Sequence, residues 1–359
     1  MATLTPPRID RLAGPAVRAG AALTTAAGAF PFRYEVEGDE VASGPEPFVA
    51  ASLLLCMRAG EPLRVPGRVS PRLLSGLERI EEIFHVWDRR LRPVPVEADP
   101  AVAPPPPGKR GVACFFSGGV DSFYSVLKHA GALSALVFCI GWDPARDAGG
   151  RWARALVAAR AAAGELGLPL VTVETNLHPL RDRVVSWRLY HGAALASVAL
   201  LLGARFRRVL IPASHSYADL YPLGSHPLVD PLWSTEATEL VHDGCEATRA
   251  ERAARVAASP VALRWLRVCA AGDGASLNCG RCEKCLRTMV ALRAAGSLER
   301  CRTFGRPLDL DAVAALALDT VHLRAFAEDN LRAVEAGPGD PALAAALRAA
   351  LGRAPAAVA

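Results

Sequence analysis

A chain of 359 residues, 51% of them hydrophobic, has room for two domains and a large buried core. The net charge of +5 is modest and spread out, and only three of the 41 basic residues are lysine (Lys109, Lys128, Lys284), so composition permits an acidic ligand and marks no nucleic-acid surface. No stretch reaches about 18 uninterrupted apolar residues and no charged-then-apolar leader opens the chain, so the expectation is a cytoplasmic protein with no membrane partner.

Residues 1–30 show no clear periodicity, and Ala21 to Ala27 reads as surface. Phe32, Tyr34 and Val36 then alternate with Arg33, Glu35 and Glu37, the period of a half-buried strand. Phe48 to Met57 is apolar and fits either a buried strand or a helix. Ser70-Pro71 opens a helix, with serine capping and proline in the first turn. Leu73, Leu77, Ile80, Phe84 and Trp87 make its apolar face, and Val94 to Val96 returns as a short strand. Residues 1–98 thus read as a small α/β domain without a catalytic signature, serving either packing and partner contact or recognition of a second substrate. Residues 99–108, with four consecutive prolines, read as a polyproline II linker.

From residue 109 the pattern alternates. Strands are expected at 112–116, 135–140, 170–174 and 208–212, with helices at 122–130, 151–166 and 182–202. This is the α/β class, a Rossmann-like parallel sheet with helices on both faces. Residues 109–298 form the expected nucleotide-binding domain. A helical C-terminal extension, 299–359, is broken at Gly337-Pro338-Gly339 and reads as packing alone. Ligands of such sheets sit beyond the carboxyl ends of the strands. Three segments should converge there: residues 117–122, Gly141-Trp142-Asp143, and the loop from Ala213 to His226. In that loop His215, Tyr217 and Asp219 are candidate substrate residues, while His191 reads as a core histidine. Ser234 to Val241 reads as a helix capped by Ser234 or Thr235, and Val261 to Val268 as a strand leading to Cys269.

Ser117-Gly118-Gly119-Val120-Asp121-Ser122 lies between a strand and a helix. The glycines let the main chain approach an anion, and the free N–H groups of the helix start point at it. Ser117 and Ser122 add hydroxyl donors. Asp121 repels a phosphate, so its chemistry fits a ligand for Mg²⁺. The Gly-Lys-Ser/Thr ending of a Walker loop is absent.

Nine cysteines in such a chain argue for metal binding over disulfides. Cys279, Cys282 and Cys285 follow a C-x2-C-x2-C spacing, with Cys269 ten residues upstream of the first. Four thiolates can close around Zn²⁺, and an iron–sulfur cluster is the rival. Gly280 allows a tight knuckle, and Arg281, Lys284 and Arg287 offset the thiolate charge.

The hexapeptide resembles the SGGxDS signature of the PP-loop ATP pyrophosphatases, a HUP-type fold family. Together with the cysteine pattern, residues 111–295 resemble the 7-cyano-7-deazaguanine synthase family. That resemblance implies ATP-dependent adenylation of a carboxylate with pyrophosphate release, then attack by ammonia or an amine to give an amide, which a second ATP can dehydrate to a nitrile. It implies ATP and Mg²⁺ at Ser117, Gly118, Gly119, Val120, Asp121 and Ser122, with Gly141 and Trp142 beside the nucleotide. It also implies structural Zn²⁺ on Cys269, Cys279, Cys282 and Cys285. The expected acceptor is a small-molecule, peptide or protein carboxylate, with no nucleic acid, and a homodimer is compatible. The chain departs from that family in its long N-terminal segment, in Ala237-Thr238-Glu239 where a Lys-x-Glu stands, and in the loop carrying His215. A tRNA sulfurtransferase and a non-catalytic nucleotide-binding assembly module are the alternative readings.

Overall fold

The computed structural model describes residues 1–38, 40–102, 108–142, 150–178, 184–269, 276–337 and 339–353. The four prolines of the expected linker, Asp143, Asp182 and Pro338 lie outside the described residues. The first part of the chain forms β1 (Ala2–Leu4), β2 (Arg8–Arg11), β3 (Ala16–Thr25), β4 (Gly28–Glu37), α1 (Glu46–Ala59), β5 (Leu63–Val69), α2 (Pro71–Trp87) and β6 (Val96–Pro100). Strand and helix then alternate through β7 (Gly111–Phe115), α3 (Val120–Lys128), β8 (Ala135–Ile140), α4 (Arg151–Glu165), β9 (Leu170–Thr175), α5 (Trp187–Leu201) and β10 (Phe206–Pro212). After β11 (Glu239–Asp243) come the helices α6 (Arg249–Ala257), α7 (Pro260–Trp265), α8 (Glu283–Ala294), α9 (Leu310–Ala314), α10 (Val321–Ala336) and α11 (Pro341–Gly352).

The class is α/β, built on one large, mostly parallel sheet. Its order is β11-β10-β7-β8-β9-β4-β3-β1-β5-β6, with β2 beside β3. The five strands from β11 to β9 are all parallel. Helices cover both faces, and strand alternation explains how. On β7, Val112 and Cys114 join a core with Phe123 of α3, Ala159 of α4 and Ala253 of α6, whereas Ala113 and Phe115 join one with Phe48 of α1 and Val198 of α5. In this half of the sheet, chain order reverses between β7 and β10, and a crevice opens at such a switch point.

The N-terminal strands do not form a sheet of their own. β4 pairs antiparallel with β9, Val36 opposite Val173, and one apolar cluster runs from Leu4 and Leu23 to Val209 and Leu240. The ambiguous apolar run is helix α1, and it lies on α5: Tyr190 Oη donates to the Ala51 carbonyl at 2.7 Å and Ser197 Oγ to the Pro47 carbonyl. The face of α2 behaves as its spacing predicts. Ser70 caps it by accepting the Leu73 N–H at 3.0 Å, a bond worth about 1 kcal/mol. Leu73, Leu77, Ile80 and Phe84 are buried, and the Trp87 ring meets His226 at 5.1 Å.

Three sequence readings are corrected. Residues 1–30 carry strands, missed because the inward positions of β3 are filled partly by small residues such as Ala19 and give little periodic signal. Ser234 to Val241 is not a helix. Ser234 Oγ accepts the Leu240 N–H and Thr235 Oγ1 the Thr238 N–H, so both hydroxyls hold a turn that releases Leu240 and Val241 into β11. Val261 to Val268 begins as α7, capped by Ser259, and residues 266–269 that follow are neither helix nor strand.

A chain beginning at Lys109 should therefore fail to stay soluble where the full chain does. Each large apolar side chain uncovered costs roughly 1.5–3 kcal/mol, and the margin of a whole domain is about 5–15 kcal/mol. Removing α1 and β4 uncovers many such side chains and leaves β9 as an open edge. Sedimentation of the truncated protein measures this. A soluble, monomeric product of native helix content would show that the parallel half closes by itself.

Candidate functional site

Gly118 adopts φ +76°, which turns the chain sharply after β7 and leaves Gly119 as the start of α3 with no side chain capping it. Ser122 Oγ donates to the Gly119 carbonyl at 3.0 Å, and Gly119 N–H donates to Ser117 Oγ at 3.3 Å. The turn is held from outside as well: Arg267 N–H donates to the Gly118 carbonyl at 2.7 Å.

Two cavities meet at this turn and share Ser117, Asp121, Ser214 and Arg267. The larger, about 620 Å³, is lined by five cationic side chains (Arg188, Arg249, Arg267, Lys284, Arg287) against two carboxylates, Asp121 and Glu283. Five helices begin at its wall, α3 with Val120, α5 with Trp187, α6 with Arg249, α8 with Glu283 and α10 with His322. Each helix start carries about half a positive charge, which adds to the sign of these side chains, although some first-turn N–H groups are already taken, Ala250 by Asp329 and Leu323 by Thr320. The smaller cavity, about 290 Å³, is mostly apolar, with Val137, Phe138, Cys139, Trp142 and Trp152 around it. Trp142 Nε1 is buried there and has no partner among the described residues. Gly141 lies against the Thr175 carbonyl and lines neither cavity.

Asp121 is gripped by two guanidinium groups. Arg249 Nη1 donates to its Oδ2 at 2.5 Å and Arg252 Nη1 to its Oδ1 at 2.9 Å. Burial pushes this carboxyl up, but the charges and hydrogen bonds of Arg249 and Arg252 overcome it and hold it below its ordinary value. Arg252, 1% exposed, also donates to the carbonyls of Ala213, His215 and Gly244, at 2.6, 2.8 and 2.9 Å. It thereby ties the ends of β10 and β11 to the glycine turn. The cation that the sequence assigns to Mg²⁺ is here a pair of arginines. Both oxygens of Asp121 are engaged, so this residue does not fit a dedicated magnesium ligand in this arrangement.

His215 lines the larger cavity, stacked on Phe326 at 5.3 Å with Tyr221 edge-on at 4.7 Å. Burial, and then the neighbouring His322, lower it to about 4, so its imidazole is neutral near pH 7. Tyr221 stacks on His322 at 4.8 Å. The other two loop candidates lie elsewhere. Tyr217 is 65% exposed, Asp219 accepts from Ser216 Oγ at 2.6 Å, and neither lines either of these two cavities. His191 does line the larger cavity, with Nδ1 toward the Trp187 carbonyl and Nε2 accepting the Ser225 N–H.

The four cysteines converge. Their sulfurs all lie within 4.8 Å of one another, with Cys279–Cys285 at 3.8 Å and Cys269–Cys282 at 3.7 Å. Four sulfurs about 2.3 Å from one tetrahedral ion stand roughly 3.8 Å apart, so the set can hold a metal such as zinc. Gly280, at φ +68°, makes the knuckle, and the N–H groups of Arg281 and Cys282 face Cys279 Sγ at 3.5 and 3.4 Å. Hydrogen bonding from Cys285 outweighs burial and lowers the Cys282 thiol below its ordinary value. The cluster abuts the larger cavity: Cys269 lines it, and Cys282 is the N-cap of α8, which delivers Glu283, Lys284 and Arg287.

Sequence reasoning missed Arg188, Arg249, Arg252, Arg267, His322 and Phe326, and it gave Lys284 and Arg287 only to the thiolates. Most sit at helix starts brought together by the fold, where no local spacing marks them. No family model, curated protein or solved structure matches the chain.

Proposed function

We propose that the chain is an ATP-dependent adenylating enzyme of the PP-loop kind. The triphosphate would occupy the larger cavity and the base the smaller one. An acceptor carboxylate would attack the α-phosphorus, and ammonia or an amine would then displace AMP to give an amide; with ammonia, a second ATP would activate the amide oxygen and drive its loss to give a nitrile. The observation that carries this reading is the convergence of five helix starts and five cationic side chains on the glycine turn. A preorganised positive field of that kind stabilises the charge that develops on departing pyrophosphate. The adjoining apolar cavity, with Trp142 and Trp152, supplies the contacts a purine base needs. Magnesium enters this scheme as the counter-ion of the nucleotide. Zinc on the four thiolates is the fitting metal; it has no open position and would keep α8 in place.

The test is exchange of labelled pyrophosphate into ATP, screened against carboxylic acids that include 7-carboxy-7-deazaguanine. Acid-dependent exchange is expected with at least one of them. A protein that binds neither ATP nor pyrophosphate would end the proposal.

A further inference from the structure

Arg287 is a buried cation whose charge is paired with Glu283 but whose hydrogen-bond donors are only partly used. The residue is 8% exposed and lines the larger cavity. Its Nη1 has no hydrogen-bond partner among the described residues, and its Nε forms an ion pair with Glu283 Oε1 at 3.1 Å without the alignment of a hydrogen bond. The guanidinium lies over the Phe326 ring at 4.0 Å, which holds its plane but neutralises no charge. Asn330 Nδ2 donates to the Arg287 carbonyl at 3.0 Å, so the backbone beneath it is also fixed. Arg249, on the same cavity, spends one nitrogen on Asp121. A buried, unpaired donor is costly unless something else satisfies it.

We propose that Arg249 and Arg287 form a two-armed clamp for the pyrophosphate half of a nucleoside triphosphate, reaching it from the first turn of α6 and the second turn of α8. This deepens the adenylation reading and rests on it. In that step the carboxylate oxygen forms a bond to the α-phosphorus, and the bond from that phosphorus to the bridging oxygen breaks. The electron pair leaves on the pyrophosphate, whose charge rises where the two guanidinium groups stand. Arg252, fixed on three carbonyls, positions Asp121, and Asp121 aims Arg249. The two arginines divide the work between holding and touching.

The full chain is titrated with sodium pyrophosphate and, separately, with AMP by calorimetry, and its melting temperature is followed with and without each. For Arg287→Met the clamp predicts a pyrophosphate Kd raised at least tenfold, an AMP Kd within twofold of wild type, and a ligand-free melting temperature no lower than wild type. Arg287→Lys keeps the charge without the fork and should fall between the two in pyrophosphate affinity. Arg249→Gln should also lose pyrophosphate and keep AMP. Unchanged pyrophosphate binding in Arg287→Met, or equal losses of pyrophosphate and AMP, would overturn the clamp. Wild-type protein that binds neither probe nor ATP would instead overturn the adenylation reading itself.

Discussion

Asp121→Ala should abolish pyrophosphate release and lower stability in the same variant. The substitution leaves two guanidinium groups without their carboxylate. Arg252 keeps its three carbonyls, but Arg249 loses the partner that aims it into the cavity. Removing one member of a buried pair costs about 3–5 kcal/mol, and Asp121, with a side chain 24% exposed, belongs at about 3. Asp121→Asn keeps one acceptor and should be milder in stability while remaining inactive. The folded carboxyl sits below its ordinary value, so its contribution is present above about pH 4 and is lost as the pH falls through the folded value. Thermal melts at pH 7 and below pH 4 measure this beside a pyrophosphate-release assay. Wild-type turnover in Asp121→Ala would remove the residue from the chemistry.

The second large effect belongs to the thiolates. Protein purified without added metal should carry one zinc per chain, and Cys282→Ser should lose metal and fold together. Binding to a structural site is worth about 10–16 kcal/mol, which matches or exceeds the usual 5–15 kcal/mol margin of a domain. Cys282 also stands at the N-cap of α8, so losing a metal held there should free the helix start that brings Lys284 and Arg287 to the cavity wall. Elemental analysis with a thermal melt decides the matter. A brown protein with near-stoichiometric iron would make the centre an iron–sulfur cluster, and a metal-free Cys282→Ser melting like wild type would deny it any structural role.

What could be read from the sequence was what lies together in it. The hexapeptide and the cysteines are contiguous, and both sit at bends that need glycine. The parallel strands announce themselves by unbroken apolar runs, as in Val112 to Phe116. The arginines of the site lack any such signal. Arg249 and Arg252 lie 128 and 131 residues beyond Asp121, and nothing in their neighbourhood separates them from other arginines in the chain. Asp121 was expected to need a cation beside it, and two arginines of a distant helix, Arg249 and Arg252, hold it. His322 and Phe326 were passed over inside an Ala/Leu-rich stretch whose composition speaks only of packing. β3 stayed hidden because alanine inside a strand looks like alanine anywhere.

The larger cavity takes one wall from Ser117 and another from Phe326, with Trp187, Arg249 and Cys269 between them. Bringing such distant segments together costs chain entropy that no local contact returns, so the cavity cannot exist until almost everything around it has folded. As the polypeptide is synthesised, the turn and the cysteines are complete well before α10 emerges. Until that helix docks, by Asp329 accepting the Ala250 N–H and Asn330 donating to the Arg287 carbonyl, the aromatic wall is missing. A fragment covering residues 109–298 would display every motif a reader would look for and still have no closed site.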